Sequence, residues 1–312
     1  MRILLTGAAG MLGSSVATQW RATRPEDELV AIGRRQVDLR DPVATLSVIQ
    51  DIAPDLIIHA AAFVGGIGDK LARPLPYLLD NLGIDRAVIG AAVEAEVPRF
   101  VYVASAAAYP ADAPNPITES HLFGGALEPA NEGYGLAKLA GLTAVRYAAQ
   151  QTGNAFRAIV PSNLYGPSDT FSPARAHLIA STLRKAHEAQ INGLDAVEVW
   201  GDGTARREFT YAPDLARWLV EEVENIDTWP MAMNVGAGAD HSIREFYEIA
   251  TEIVGFEGSL KFDITKPSGV PQRLIDSTLA REHGWKPRTS MPEGMRTCYN
   301  SYLTQIANGE IR

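Results

Sequence analysis

A strand that breaks into glycines at its first turn decides most of what this chain can fold into. The apolar run Arg2–Thr6 leads into Gly7-Ala8-Ala9-Gly10-Met11-Leu12-Gly13, and a helical pattern, Met11–Thr23, follows at once. Glycines spaced this way between a buried strand and a helix meet three needs: a tight turn, close backbone approach to a pyrophosphate, and close packing of helix on strand. The helix start then presents free N–H groups to phosphate oxygens. A glycine triplet means little in an arbitrary loop; at the first strand–helix turn it carries weight. Gly7, Gly10, Met11 and Gly13 are therefore expected to hold a dinucleotide.

The rest of the first half repeats the alternation. Strands are predicted at Arg2–Thr6, Leu29–Ile32, Asp55–His59, Arg99–Ala104 and Phe156–Val160, with helices at Met11–Thr23, Pro42–Ile52, Leu75–Glu96 and Glu132–Thr152. Such alternation implies a parallel sheet with helices on both faces. Runs such as Leu56-Ile57-Ile58 are continuous rather than alternating, as strands buried on both sides require. After Val160 the texture changes. Proline, glycine and serine gather in Pro161–Pro173, helices are predicted at Arg175–Gln190, Pro213–Asn225, Ser242–Val254 and Pro292–Asn308, and short strands at Val197–Trp200, Met233–Val235 and Leu260–Phe262. The fold class expected is α/β, a Rossmann-like doubly wound parallel sheet with a smaller C-terminal substrate-binding domain. Length agrees: 312 residues point to about two domains. Residues 1–160, with returning segments near 200–240, are assigned to the dinucleotide domain, and 161–198 with 241–312 to the second.

Bulk properties narrow the function. A formal net charge of −9 argues against a nucleic-acid partner. The single cysteine, Cys298, permits no internal disulfide and no Cys-based metal site, and no metal is expected. The chain opens without the form of a signal peptide, and no uncharged apolar run approaches the roughly 18 residues a membrane helix needs. A cytoplasmic protein without membrane contact is the expectation.

The end of the second strand selects the cofactor. NAD sites place an acidic residue there for the ribose 2′-OH, whereas NADP sites place an arginine. This strand ends Ile32-Gly33-Arg34-Arg35. NADPH is expected, with Arg34 on the 2′-phosphate and Asp38 and Leu39 near the adenine.

The chemistry is carried by Tyr134-Gly135-Leu136-Ala137-Lys138 and by Ser105, 29 residues earlier at the end of the fourth strand. Residues four apart share one helical face. A neighbouring ammonium is expected to lower the phenol's pKa from its usual value near 10. Tyr134 then serves as general acid toward a carbonyl oxygen while hydride reaches the carbon. Lys138 is also expected on the cofactor ribose, and Ser105 on the same carbonyl oxygen.

The glycine turn, Ser105, Tyr134 and Lys138 together resemble an extended short-chain dehydrogenase/reductase. His59-Ala60-Ala61-Ala62-Phe63-Val64-Gly65-Gly66-Ile67 is similar to the AAxVGGI segment of the GDP-L-fucose synthase family, and Ser105–Pro110 to its SSCxYP stretch. Leu127-Glu128-Pro129 through Lys138, Asn163–Pro167, Val199–Gly203 and Arg207-Glu208-Phe209 follow in the same order, so the likeness runs from Ile3 to about Tyr302. It implies a GDP-linked 4-keto-6-deoxy sugar as substrate, epimerised at C3 and C5 and reduced at C4 with NADPH. Ala60, Ala61, Ala62 and Pro161 join the expected cofactor contacts. Val64, Gly65, Ser105, Ala107, Asn163, Lys185, Trp200 and Arg207 are the expected substrate contacts. Lys185 and Arg207 suit a pyrophosphate, and Trp200 offers a face to base or ribose.

One departure matters. The family's epimerisation uses a cysteine and a histidine. His177 falls at the histidine position, but the cysteine position is Ala107, and a methyl group carries no proton at any pH. The expectation is a 4-keto reductase whose epimerase activity is lost or reduced, with a keto-heptose as another possible sugar. Three rivals stay open: a full fucose synthase, a nucleotide-sugar 4-epimerase holding tightly bound NAD, and a catalytically silent NADPH sensor. Fold analogy implies a homodimer through the helices around Leu75–Glu96 and Glu132–Thr152.

Overall fold

The computed structural model describes residues 1–173, 175–266 and 269–311. Its strands, in chain order, are β1 (Arg2–Thr6), β2 (Glu28–Ile32), β3 (Leu56–His59), β4 (Arg99–Val103), β5 (Ala155–Pro161), β6 (Asn163–Tyr165), β7 (Ala196–Trp200), β8 (Arg206–Tyr211), β9 (Ala232–Val235), β10 (Asp240–Ser242), β11 (Ser259–Asp263) and β12 (Gln272–Arg273). The α-helices are α1 (Met11–Thr23), α2 (Pro42–Ile52), α3 (Ile67–Ala72), α4 (Pro74–Glu94), α5 (Glu132–Thr152), α6 (Leu178–Ile191), α7 (Ala212–Glu222), α8 (Ile243–Val254), α9 (Thr278–Glu282) and α10 (Met291–Ala307).

Six parallel strands form the main sheet in the order β2-β1-β3-β4-β5-β9. The continuous apolar runs are buried on both faces, as their composition demands: Leu4 and Ile57 point into one core with Ile49 of α2, Val88 of α4 and Leu142 of α5. Ile3 and Ile58 point into the other, with Val16 of α1 and Leu219 of α7. Strand order reverses between β1 and β3, and in an open parallel sheet the crevice above such a switch point is where ligands bind. The residues that follow those two strands, Gly7 and Ala60–Ala61, meet there.

The second half differs from its sequence reading in detail. Ala232–Val235 joins the main sheet, but Arg206–Tyr211, within the segment assigned to return to it, does not. That strand instead pairs antiparallel with β10 and parallel with β6 and β12. A separate pair, β7 with β11, completes the strands. Around them α6, α8 and α10 enclose Phe171, Ile179, Leu183, Phe246 and Met295. The helix predicted from Arg175 begins at Leu178, with His177 as its N-cap residue. No helix among the described residues is long and apolar enough to cross a membrane.

Candidate active site

The glycine turn has the geometry its spacing implies. Gly7 adopts φ +74°, and a Cβ there would lie 2.6 Å from the Ala61 nitrogen. A Cβ on Gly13 would strike the Gly7 carbonyl. The turn is thus closed against the β3 end, and α1 follows Gly10 as its N-cap residue, with no side chain capping its N–H groups. Ala9 and Gly10 are exposed. An uncapped helix start at a glycine turn above the switch point fits a pyrophosphate-bearing dinucleotide.

At the β2 end, Arg34 and Arg35 are exposed, free of the sheet and close to the turn that Gln36 closes on the Gly33 N–H at 3.0 Å. The two adenine-side candidates both have partners within the protein. Asp38 is held by Arg40 at 2.6 Å, and that guanidinium keeps its carboxyl low, at about 2. Leu39 is 8% exposed and packs in the core beside Val37 and Ile49, because a leucine here covers the sheet face. Pro161, the last residue of β5, is buried.

Ser105, Tyr134 and Lys138 come together. Ser105 follows β4 and caps a single 3-10 turn, Ala106–Ala108, its Oγ accepting the Ala107 N–H at 3.2 Å. Tyr134 lies in the first turn of α5, with the Ser105 hydroxyl near enough to its phenol to favour the phenolate. Lys138, one turn on, places Nζ 6.0 Å from the Tyr134 ring centroid. Two influences act on the phenol in opposite directions. Burial pushes the Tyr134 phenol up from its ordinary value, only partly offset by Ser105. Lys138 Nζ faces Asp85 Oδ2 at 3.6 Å; burial lowers the ammonium, and Asp85 opposes that shift.

The AAxVGGI loop spans the cleft to the second half. Asn81, buried in α4, accepts the Phe63 N–H at 2.8 Å and donates to its carbonyl at 3.0 Å. Gly66 N–H reaches the Arg175 carbonyl at 3.1 Å, and Arg175 in turn donates to the Val64 carbonyl at 3.3 Å. Val64 stays exposed and Gly65 is buried. This clasp brings His177 to the cleft. Burial, then the charges of Lys70 and Arg175, push its imidazole down to about 4, so it is neutral at pH 7.

Lys70, on the short helix α3, was invisible in the sequence. Its Nζ lies 4.8 Å from the Tyr134 ring centroid and donates to Asn131 Oδ1 at 2.8 Å, and Asn131 donates to Glu128 at 2.6 Å. Burial lowers Lys70 to about 8.

The nucleotide-side residues fall in two groups. Lys185 Nζ sits 5.6 Å from the Trp200 ring and donates to the Glu198 carbonyl at 3.1 Å, leaving the Trp200 face partly open. Asn163, exposed at the start of β6, donates to the Glu208 carbonyl at 3.1 Å. Burial lowers both Arg207 and Arg273, Glu128 opposes this in each, and the charge of Arg273 lowers Arg207 further. Arg273, on a two-residue strand, went unnoticed in the sequence. Cys298 is buried in the α10 cluster and pushed up to about 12 by burial, away from any role in the cleft.

The model of the NAD dependent epimerase/dehydratase family matches residues 3–236. The chain belongs to that family. Within it, a GDP-L-fucose synthase from Azorhizobium caulinodans is 35% identical over 303 residues, covering 97% of this chain and 96% of the relative. Two solved Campylobacter jejuni structures superpose over 97% of this chain and 98% of their own. One is a GDP-6-OMe-4-keto-L-xylo-heptose reductase, with TM-score 0.89 and 27% identity. The other is a GDP-mannoheptose C4 reductase with NADP bound, with TM-score 0.86 and 29% identity. Like its relatives in the NAD dependent epimerase/dehydratase family, the chain is an oxidoreductase.

Proposed function

We propose that the chain reduces the 4-keto group of a GDP-linked 4-keto sugar with NADPH and epimerises C3 and C5 poorly or not at all. The observation that carries this reading is the convergence of Ser105, Tyr134 and Lys138, with Ala107 on the turn that Ser105 caps, where a thiol would be needed. When bound, NADPH supplies the hydride. Ser105 and Tyr134 hold the carbonyl oxygen, and Tyr134 gives it the proton. Lys138 orients the ribose, Gly7–Gly13 receive the pyrophosphate, and Arg34 takes the 2′-phosphate. Lys185, Trp200, Asn163 and Arg207 form the GDP side. His177, neutral at pH 7, is able to accept a proton, but inversion also needs a donor on the opposite face, and Ala107 is none.

The relatives leave two sugar sizes in view, hexose and heptose. Support for a heptose comes from the two reductases of similar fold. The test is a panel of GDP-linked 4-keto-6-deoxy hexoses and 4-keto heptoses. NADPH consumption is followed, the product is identified by NMR, and a parallel incubation runs in D2O without NADPH. Reduction without deuterium at C3 and C5 is the expected result. Deuterium at both carbons would make the chain a full fucose synthase instead. The homodimer belongs to the same reading. Leu75 and Leu79 on α4 and Leu136 and Tyr147 on α5 remain exposed on two helices that pack together. Light scattering that returns a monomer would remove it.

A further inference from the structure

Lys70 has no part in the reduction as written above, yet it stands beside the proton donor. It belongs to α3, whose N-cap residue, Gly66, donates to the Arg175 carbonyl two residues before His177. The approach is too close for a side chain, since a Cβ on Gly66 would lie 2.6 Å from the Ala176 carbonyl oxygen. Helix α3 is thus pinned to the segment that carries His177. Lys70 Nζ is held 4.8 Å from the centre of the Tyr134 ring and 6.0 Å from that of Tyr77.

A buried ammonium is costly unless it is paired. Lys70 is half-buried, and the carboxylates near it are engaged elsewhere. Asp69 is bound by Arg73 at 2.7 Å and accepts from the Tyr77 hydroxyl at 2.5 Å. Glu128 accepts from Asn131 at 2.6 Å and acts on Lys70 by its charge alone. Among the described residues the one hydrogen-bond acceptor that Lys70 meets is Asn131 Oδ1, at 2.8 Å. An ammonium carries three N–H donors, so two are left for a ligand.

The inference rests on the reading of the chain as a GDP-4-keto sugar reductase. In that reading the C4 oxygen meets Ser105 and Tyr134, and the diphosphate on C1 lies toward Lys185, Trp200 and Arg207. C1 and C4 are opposite corners of a pyranose ring, so Lys70, beside Tyr134, faces the C4 end. C3 and C5 flank that end. The C3 hydroxyl stays at the ring edge, whereas the C5 side chain extends past it. In a 6-deoxy hexose that side chain is a methyl group, which offers an ammonium nothing. In a heptose it carries a hydroxyl. We propose that Lys70 is a specificity residue that hydrogen-bonds a hydroxyl on the C5 side chain, so that a GDP-4-keto heptose is reduced in preference to a 6-deoxy hexose. A site built to hydrogen-bond a substrate hydroxyl rejects the analogue that lacks it, because the analogue leaves the site's donor unpaired.

The test compares kcat/KM for a GDP-4-keto-6-deoxy hexose and a GDP-4-keto heptose, with NADPH, in the native protein and in Lys70→Met. The native chain should favour the heptose. In Lys70→Met the heptose-to-hexose ratio should fall roughly 10- to 100-fold, as loss of a charged hydrogen bond requires, with the change carried by the heptose KM. Lys70→Arg, which keeps charged donors, should retain part of the preference. A native protein that uses the hexose as well as the heptose overturns the proposal. So does a Lys70→Met loss that is equal for both sugars, the mark of a lysine that only supports the fold. Should Lys70→Met fail to fold, Lys70→Gln is read on the same ratio, with a smaller fall expected and no fall overturning the proposal. Failure of the reductase reading looks different: neither sugar is consumed although NADPH binds.

Discussion

Lys70 Nζ lies 4.8 Å from the centre of the Tyr134 ring, and its charge is the second largest influence, after burial, on His177. The imidazole is held at about 4, well below the usual histidine value near 6.5. His177 should therefore stay neutral throughout pH 5–8, and histidine NMR should place its midpoint near 4. Lys70→Met removes a like charge, so the midpoint should rise. Arg175→Met, acting on the third and smaller influence, should raise it less. Because the folded value lies below the unfolded one, the group's contribution to stability is present above about 6.5 and is lost as pH falls toward 4. A native midpoint near 6.5 would refute the buried placement.

Gly13→Ala should damage the cofactor turn more than its size suggests. The new methyl group would strike the Gly7 carbonyl, which is backbone and cannot swing aside. Overpacking of this kind costs about 1–3 kcal/mol. A lower melting temperature together with weakened NADPH binding by calorimetry is expected. Unchanged binding would mean that the glycine turn does not hold the pyrophosphate.

Arg34→Ala should change the choice of cofactor rather than the chemistry. The side chain is exposed at the β2 end and supports no core contact, so melting should barely move. A charged hydrogen bond is worth about 1.5–3 kcal/mol, so KM for NADPH should rise roughly 10- to 100-fold. KM for NADH should stay where it was. Equal effects on both cofactors would place the 2′-phosphate elsewhere.

Most of the frame was legible because its signals are local. The α1, α2 and α5 boundaries follow from a glycine turn, a proline at the first helical position and a glycine C-cap, all within a few residues of the ends they set. The small β6-β8-β10-β12 sheet was not legible, since its strands run two to six residues and β8 opens with Arg206, Arg207 and Glu208. Helix α3 has six residues and buries none fully, so it carries no apolar stripe to read. Ser105, Tyr134 and Lys138 announced themselves by spacing, but Asp85 and Lys70 reach them from other elements. Asp85 left one clue: it sits with Asn81, Val88 and Ala92 on the buried stripe of α4, where a carboxylate needs a partner. Nothing in the sequence near Lys70 marked it, and the fall of the Lys138 charge onto Asp85 required the fold.

Restoring a thiol tests the link between residue 107 and epimerisation. Ala107 is half-buried on the 3-10 turn beside Ser105, and its own N–H holds the Ser105 hydroxyl at 3.2 Å. Ala107→Cys keeps that backbone bond and adds a group with a pKa near 8.5, which is able to lose and regain a proton at neutral pH. With His177 already neutral on the second half of the cleft, two proton carriers would face the sugar. A placed acid–base group contributes about 10²–10⁴ in rate, so deuterium entry at C3 and C5 from D2O should rise by at least ~10² over the native chain. Reduction by NADPH should persist, because Ser105, Tyr134 and Lys138 are untouched. His177→Asn in the same background should return exchange to the native level. If Ala107→Cys folds, reduces its substrate and still exchanges no deuterium, the missing thiol is not what separates this chain from a double epimerase, and the cause lies in how the sugar is seated against His177.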